Sequence, residues 1–242
     1  MVSMYRAGWR RRRMARARSG LPRGLYAVTP EQIGGPESLV DPVADSRLLE
    51  RVDRCLSGGA CIVQYRDKNP DPKRRLAMAC AISDLCRQHA AVFIVNDDID
   101  LALEIGADGV HLGKSDLACA PARARAGAEF LIGISCYDSL PMARRALEDG
   151  ASYVAFGSAF PSPTKPAAVR APLSLYQQAT QELAIPVVAI GGIRPDNASP
   201  LVSAGCHALA VISSLFDAAD TRATAREFSQ LFGTSAADDR LE

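Results

Sequence analysis

The sequence predicts a single (β/α)8 barrel, the TIM-barrel class, and three observations support that prediction. Eight short apolar runs recur between residues 24 and 216, most of them rich in valine and isoleucine. Continuous runs of this kind are typical of parallel strands that are covered on both faces. Longer segments with helical spacing separate them, and eight such units in about 220 residues fit a barrel, which typically has about 250. A doubly wound open sheet remains the alternative, because strand order cannot be read from sequence.

The predicted strands are short, and many end in small or polar residues. They span residues 24–30, 60–67, 91–97, 108–113, 130–136, 152–160, 185–193 and 208–216. Helical spacing is found at 73–88 and at 138–150, where Asp138 is the predicted N-cap and a glycine ends the segment. Residues 194–205 also end in glycine, and residues 31–46 are expected to form an extended loop. The chain therefore alternates strand and helix.

The composition predicts a soluble, cytoplasmic protein. Hydrophobic residues make up 48% of the chain, which is enough for a sizeable core. No apolar run reaches the roughly 18 residues of a membrane-spanning helix. The seven cysteines include no C-x-x-C pair, and an odd number cannot all be paired within one chain. Cysteines of this kind are typical of a reducing compartment.

The amino-terminal segment is strongly basic. Residues 1–30 contain eight arginines and no acid, although the net charge of the whole chain is only +1. We expect a disordered basic arm at 1–20, a barrel domain at 21–235 and a flexible tail at 236–242. The arm is typical of an RNA-binding or membrane-surface tail or of a transit peptide. The favoured interpretation is an upstream extension, with Met14 as the true start.

Polar residues follow the apolar strands at their carboxyl ends, where a barrel of this class builds its active site. Gln64, Arg66 and Lys68 alternate after the second strand and therefore share one face. The other strand ends and their loops contribute Asn96, Asp97, Asp116, Ser135, Ser162, Thr164, Lys165, Gly192, Ile212 and Ser213. Because the strands converge there, we expect these residues to meet at one mouth.

The charged members of this set indicate a diphosphate. Arg66, Lys68 and Lys165 have no acidic partner evident in the sequence, which predicts an anionic ligand. Asp97 and Asp116 are hard oxygen ligands, suited to Mg²⁺ that is held by few carboxylates together with substrate phosphates. The alternative is ordinary salt bridging across the barrel rim.

A second anion site is predicted where the last two strands end. Gly191 and Gly192 follow the seventh strand, and Ile212 and Ser213 follow the eighth. Barrels often bind phosphate at this position with backbone N–H groups and a helix N-terminus, and glycine allows a close approach. A glycine pair that only turns the chain is the alternative.

These motifs, in this order, resemble the thiamine-phosphate synthase family. The matching segments are VQYRDK (63–68), IVNDDIDLALEIGADGVHLGKSD (94–116), IGIS (132–135), FGSAFPSPTK (156–165), VVAIGGIRPDNA (187–198) and AVIS (210–213). The resemblance covers about residues 24–216. It implies an Mg²⁺-dependent transferase that joins hydroxymethylpyrimidine diphosphate to thiazole phosphate and forms thiamine monophosphate and diphosphate.

The resemblance also implies a role for each residue of the mouth. The pyrimidine diphosphate would contact Gln64, Arg66, Lys68, Asn96, Ser135 and Lys165, with Mg²⁺ on Asp97 and Asp116. The thiazole phosphate would contact Ser162, Thr164, Gly192, Ile212 and Ser213. Catalysis would rest on Arg66, Lys68, Ser135 and Lys165, which stabilise the diphosphate as it leaves, before the thiazole nitrogen captures the cation. Small-molecule substrates are the expected partners, nucleic acid and membranes are not, and a homo-oligomer is left open.

Two other functions compete with this one. A thiazole tautomerase of the same fold would need no diphosphate–magnesium site, and we would expect a histidine where this chain has Tyr137. A non-catalytic phosphate-binding or RNA-associated protein would explain the arginine arm, but not Asp97, Asp116 and Lys165. His111 lies in an apolar strand, and we interpret it as a core residue rather than a catalyst.

Overall fold

The structure is a computed structural model that describes residues 20–31, 42–161 and 169–233. The predicted basic arm and most of the predicted tail lie outside these ranges. So do residues 32–41 of the predicted 31–46 loop, and Ser162, Thr164 and Lys165 of the predicted site. Residues 42–46 of that predicted loop belong to a helix, so the loop prediction is wrong there. The predicted domain limits therefore stay predictions.

Eight parallel strands close into a barrel in chain order. They are β1 (Gly24–Val28), β2 (Ile62–Tyr65), β3 (Val92–Asn96), β4 (Gly109–Leu112), β5 (Leu131–Tyr137), β6 (Tyr153–Phe156), β7 (Val187–Ile190) and β8 (Ala208–Val211). The ring closes because β1 pairs with β8, with Gly24 opposite Ala208 and Ala27 opposite Val211. The barrel prediction is confirmed, and the open-sheet alternative is excluded.

Helices follow the strands in sequence. Within the described ranges they are α1 (Pro42–Ser57), α2 (Pro72–Gln88), α3 (Ile99–Ile105), α4 (Cys119–Ala126), α5 (Leu140–Glu148), α6 (Leu173–Glu182), α7 (Ser199–Ser203), α8 (Ser213–Phe216) and α9 (Thr221–Gln230). Among the described helices, none is long and apolar enough to cross a membrane.

The predicted N-cap of α5 is wrong by one residue. Ser139, not Asp138, precedes the helix, and its side chain accepts a hydrogen bond from Met142 N at 3.3 Å. Its backbone is extended, and Pro141 occupies the first turn, where a missing N–H costs nothing. The sequence offered two adjacent capping residues, and the turn after β5 decides between them.

Strand residues alternate between two apolar layers. Leu25 and Ala27 of β1 pack outward against the helices, whereas Tyr26 and Val28 belong to a separate cluster inside the barrel. The other strands repeat this period of two. The inward set continues toward the mouth in Gln64, Asn96, His111 and Ser135, each of which alternates with outward-facing core residues. The alternation therefore aims these polar side chains into the barrel.

Candidate active site at the barrel mouth

The cations that follow β2 have an acidic neighbour, which corrects the prediction that they lack one. Arg66 Nη2 lies 2.8 Å from Glu31 Oε2, and Lys68 Nζ lies 4.0 Å from Glu31 Oε1. Glu31 comes shortly after β1, the strand that pairs with β2. The prediction considered charges near in sequence, whereas adjacent strands bring this carboxylate to the cations from 35 residues away.

Buried hydrogen bonds hold the segment that carries these cations. The Thr29 hydroxyl, on a fully buried residue, accepts from Arg66 N at 2.8 Å. The fully buried Asp67 carboxylate accepts from Tyr65 Oη at 2.7 Å and pairs with Arg74 at 3.1 Å. The Asp67 side chain is therefore directed toward Tyr65 and Arg74, and its charge is compensated inside the protein.

The two predicted metal ligands lie side by side. Asp97 follows β3 in the left-handed region, at φ 64°, and its N–H donates to His111 O at 2.8 Å. Asp116 Oδ2 accepts from Gly113 N at 2.7 Å. The pKa of Asp97 is raised to about 6, first by burial and then by the neighbouring Asp116 carboxyl, while Lys68 and Arg66 act in the opposite direction. The side chains of Asp97, Asp116, Lys68 and Arg66 therefore lie close enough together to affect the ionisation of Asp97.

This pair of carboxylates fits a hard divalent cation. The Asp116 carboxyl raises the pKa of Asp97, and a bound cation would relieve that repulsion. Within the described ranges, no group of three or more His, Cys, Asp or Glu residues is arranged to hold a metal. A site with two carboxylates agrees with Mg²⁺, which commonly keeps several waters and takes its other ligands from substrate phosphates.

An open cleft of about 500 Å³ adjoins the carboxylates. It lies between the loops that follow β2 and β3, and its lining includes Lys68, Asn96 and Asp97. Arg75, on the first turn of α2, also lines it and forms an ion pair with Asp98. Arg75 was not predicted, because the sequence of a helix gives no indication of which cleft its residues face.

His111 and Ser135 lie deeper, next to this charged group. His111 Nε2 is 2.9 Å from Ser135 Oγ, and His111 Nδ1 is 3.1 Å from Tyr153 Oη. Burial lowers the pKa of His111 to about 4, against a smaller opposite effect of Asp116, so the ring is neutral near pH 7. Both ring nitrogens have partners, which confirms the interpretation of His111 as a satisfied core residue. Its contact with Ser135 was not foreseen.

The mouth after β7 and β8 is built mainly from backbone. Gly191 and Gly192 adopt φ 101° and 65°, and a Cβ on Gly192 would overlap the carbonyl oxygen of Pro161. Ser214 Oγ donates to Ile193 O at 2.5 Å, which joins this loop to the residues after β8. The predicted residues Gly192, Ile212 and Ser213 are therefore on two adjoining, connected segments.

The structure brings most of the predicted site together. The residues around the carboxylates and the deep serine are Gln64, Arg66, Lys68, Asn96, Asp97, Asp116 and Ser135, and those after the last two strands are Gly192, Ile212 and Ser213.

Sequence reasoning missed Glu31, Tyr26 and Tyr153. Glu31 could have been found from its position just after a strand end, whereas inward-facing tyrosines resemble ordinary core residues.

Comparison with known proteins places the chain in a family. The family described as thiamine monophosphate synthase matches residues 25–215. The thiamine-phosphate synthase of Chromobacterium violaceum is 53% identical over 210 residues, covering 87% of this chain and 96% of that protein. The thiamine-phosphate synthase of Thioalkalivibrio sulfidiphilus is 50% identical over 210 residues, covering 87% and 95%.

Solved structures support the same family and the same barrel fold. The thiamine phosphate pyrophosphorylase from Pyrococcus furiosus superposes with a TM-score of 0.74 at 33% identity, covering 86% of this chain and 95% of that one. A 3-hexulose-6-phosphate synthase superposes with a TM-score of 0.61 at only 17% identity over 86% and 99% of the two chains, which shows the fold alone. On the family match, the close relatives and the barrel, the chain belongs to the thiamine monophosphate synthase family of transferases.

Proposed function

We propose that the protein transfers the hydroxymethylpyrimidine group from its diphosphate to thiazole phosphate, forming thiamine monophosphate and diphosphate. The observation that carries the proposal is the cluster of Arg66, Lys68, Asp97 and Asp116 at one place on the mouth. Two cations beside two carboxylates suit a metal-bound diphosphate, because each charge of such a ligand then meets its opposite. The relatives' names, thiamine-phosphate synthase, support the choice of product.

Mg²⁺ is the proposed cofactor, and Asp97 and Asp116 are the residues that would hold it. When bound, the ion supplies positive charge to the diphosphate, which becomes the leaving group. The protein itself contributes Arg66 and Lys68, whose fixed charges stabilise the same group as the C–O bond breaks. Lys165 belongs to this set by its place in the family motif and lies outside the described residues.

The proposed order is dissociation first and capture second. An electron-rich pyrimidine can carry the positive charge left by the departing diphosphate, and the thiazole nitrogen then attacks with its lone pair. An aromatic nitrogen has no proton to lose before attack, so this step needs no general base. The neutral His111, with both nitrogens engaged, supports a mechanism of that kind.

A diphosphate must compete with Glu31 for Arg66 when it binds. Glu31 contacts this guanidinium at 2.8 Å, and both side chains are partly exposed. A diphosphate with its metal offers more charge and more oxygen acceptors than one carboxylate, so it can compete for Arg66. We propose that Glu31 releases Arg66, at least in part, as the substrate enters.

The thiazole phosphate is assigned to Gly192, Ile212 and Ser213, with Ser162 and Thr164 of the undescribed segment. The left-handed glycines support this assignment because they let backbone approach a ligand closely. The free thiols of all seven cysteines support a proposed cytoplasmic location.

Product formation by the purified protein tests the proposal. The protein would be incubated with both heterocycles and Mg²⁺, and thiamine monophosphate and diphosphate would be quantified by chromatography and mass spectrometry. We expect equimolar products, loss of activity with EDTA and recovery with excess Mg²⁺. Failure to couple the two substrates, or isomerisation of a thiazole substrate without coupling, would contradict the proposed function.

A further inference from the structure

A continuous series of hydrogen bonds crosses the inside of the barrel. Gln64 Nε2 donates to Tyr26 Oη at 2.7 Å, and Tyr26 Oη lies 2.9 Å from Tyr153 Oη. Tyr153 Oη lies 3.1 Å from His111 Nδ1, and His111 Nε2 lies 2.9 Å from Ser135 Oγ. These five residues, here called the interior chain, come from β2, β1, β6, β4 and β5. The interior chain joins two residues of the proposed pyrimidine site.

The surroundings of the interior chain are apolar and closely packed. Tyr26 is 1% exposed and Tyr153 is fully buried, and both belong to the inner hydrophobic cluster. Gly133 makes room for Tyr153, because a Cβ on it would overlap the tyrosine ring. Phenylalanine would fill the same volumes without a buried hydroxyl that needs a partner. Packing alone therefore does not explain the two hydroxyl groups.

The orientation of the Gln64 amide sets one direction for the hydrogen bonds of the interior chain. Tyr26 Oη accepts from Gln64, so its one proton is available to Tyr153. Tyr153 can then donate to His111 Nδ1, which leaves the ring proton on Nε2, where it points to Ser135 Oγ. The Ser135 proton is then free to be donated to a ligand.

The hydrogen bonds can also run in the opposite direction with every donor and acceptor paired, but only if the Gln64 amide is turned over. If Gln64 turned its carboxamide and presented Oε1 to Tyr26, every proton of the interior chain would run the other way. His111 would then carry its proton on Nδ1, and Ser135 would donate to Nε2. The orientation of the Gln64 amide is consequently linked to the role of the Ser135 hydroxyl, which donates in one case and accepts in the other from the ligand's side.

We propose that the interior chain is a positioning device that fixes Gln64 and Ser135 together, so that Gln64 Oε1 is offered as an acceptor and the Ser135 hydroxyl as a donor. Tyr26, Tyr153 and His111 are then positioning residues. The pyrimidine of the proposed substrate carries an amino donor next to a ring-nitrogen acceptor, which is the complementary pattern. The identity of this ligand rests on the proposed function, whereas the coupling between the two ends does not.

The tautomer of His111 tests the coupling directly. We expect the Nε2–H tautomer in the unsubstituted protein, measured from the ¹⁵N shifts of the histidine rings. Gln64→Glu, at a pH of about 9 that ionises the new carboxyl, leaves only an acceptor facing Tyr26. We expect it to move the His111 proton to Nδ1, three hydrogen bonds away. A ring that keeps the Nε2–H tautomer in this variant would overturn the proposal.

Combined variants separate this effect from general damage. Tyr153→Phe removes the link between the two ends, so Gln64→Glu should no longer change the His111 tautomer in its presence. Tyr176→Phe is the matched control, because this equally buried tyrosine donates to Phe156 O at 3.0 Å outside the interior chain. The tautomer change should persist in that background. If Tyr153→Phe and Tyr176→Phe behaved alike, the linkage would be wrong.

Kinetics provide the second measurement. Tyr26→Phe should raise the KM for the pyrimidine diphosphate about tenfold, the effect of losing roughly one well-placed hydrogen bond, and leave the KM for thiazole phosphate unchanged. In a Ser135→Ala background, Tyr26→Phe should raise this KM less, because only the Gln64 end of the interior chain, which Tyr26 contacts directly, is left to disturb. Equal effects in both backgrounds would overturn the coupling between the two ends. A failure of the unsubstituted protein to couple the substrates would refute the proposed function, while the tautomer measurement, which needs no substrate, would still decide the coupling.

Discussion

Two regions of the barrel mouth present different chemical groups to their proposed ligands: one follows β2 and β3, and the other follows β7 and β8. Arg66, Lys68 and Asp97 present charged side chains, and part of that charge is already compensated by Glu31. Gly191 and Gly192 present backbone in the left-handed region, with no side chain at all. The first region can therefore respond to charge that develops during the reaction, whereas the second is suited to holding a phosphate whose charge stays constant.

The largest effect should come from the carboxylate pair. Asp116→Asn removes a charge from the proposed metal site, and we expect turnover to fall by about two orders of magnitude or more, because the proposed metal would stabilise the leaving group only when the charged site holds it. Steady-state rates over a range of Mg²⁺ concentrations would measure it. Asp84→Asn, an exposed α2 residue that forms an ion pair with Arg87, is the matched control. Near-normal turnover of Asp116→Asn at saturating Mg²⁺ would contradict the metal assignment.

The next effect concerns the backbone region. Gly192→Ala places a Cβ against the Pro161 carbonyl at φ 65°, so we expect the loop to move and the KM for thiazole phosphate to rise by about tenfold or more. Gly127→Ala is the control, since that glycine also has a positive φ, 80°, but nothing within 4 Å of a Cβ. Gly127→Ala should lose about 1 kcal/mol of stability because of its positive φ, and Gly192→Ala should lose more because its Cβ also overlaps backbone, as measured by thermal or denaturant unfolding. Equal kinetics in the two variants would show that the Gly192 loop does not hold the phosphate.

An effect of similar size is expected at Ser213. Ser213→Ala should remove a neutral donor to the thiazole phosphate at a cost of about 1.5–3 kcal/mol, seen mainly as a higher KM for that substrate, because the phosphate does not change charge in the reaction. Ser203→Ala, an exposed serine at the end of α7, is the control. Varying each substrate in turn would separate the constants. A fall in kcat with an unchanged thiazole phosphate KM would mean that the mouth is divided differently.

The smallest effect should be seen at Glu31. Glu31→Gln removes a carboxylate that competes with diphosphate for Arg66, and a partly exposed ion pair of this kind is worth about 1 kcal/mol or less. We therefore expect inorganic diphosphate with Mg²⁺ to bind up to about fivefold more tightly, measured by calorimetry. Glu50→Gln on α1 is the surface control. Weaker binding in Glu31→Gln would mean that this carboxylate orients Arg66 instead of competing for it.

The local pattern of the sequence was sufficient for the barrel and for much of its mouth. Runs of apolar residues located all eight strands, and the polar residues that end them include Asp97 and Asp116, which do lie together. A period of two also placed Gln64 on the face that points toward the inside of the barrel. These features could be predicted because strand spacing and side-chain alternation depend on neighbouring residues only. Ser162, Thr164 and Lys165 stay predictions from the family motif.

Only the tertiary structure decided which strands face each other across the barrel and at what height. The contact between Glu31 and Arg66 depends on the pairing of β1 with β2, and the interior chain from Gln64 to Ser135 depends on five strands at once. The left-handed backbone of Asp97 likewise forms where the chain leaves β3 and bonds to His111 of β4. Such contacts follow from the stagger of a closed sheet, which is set by long-range pairing and has no counterpart in the spacing of residues along the chain.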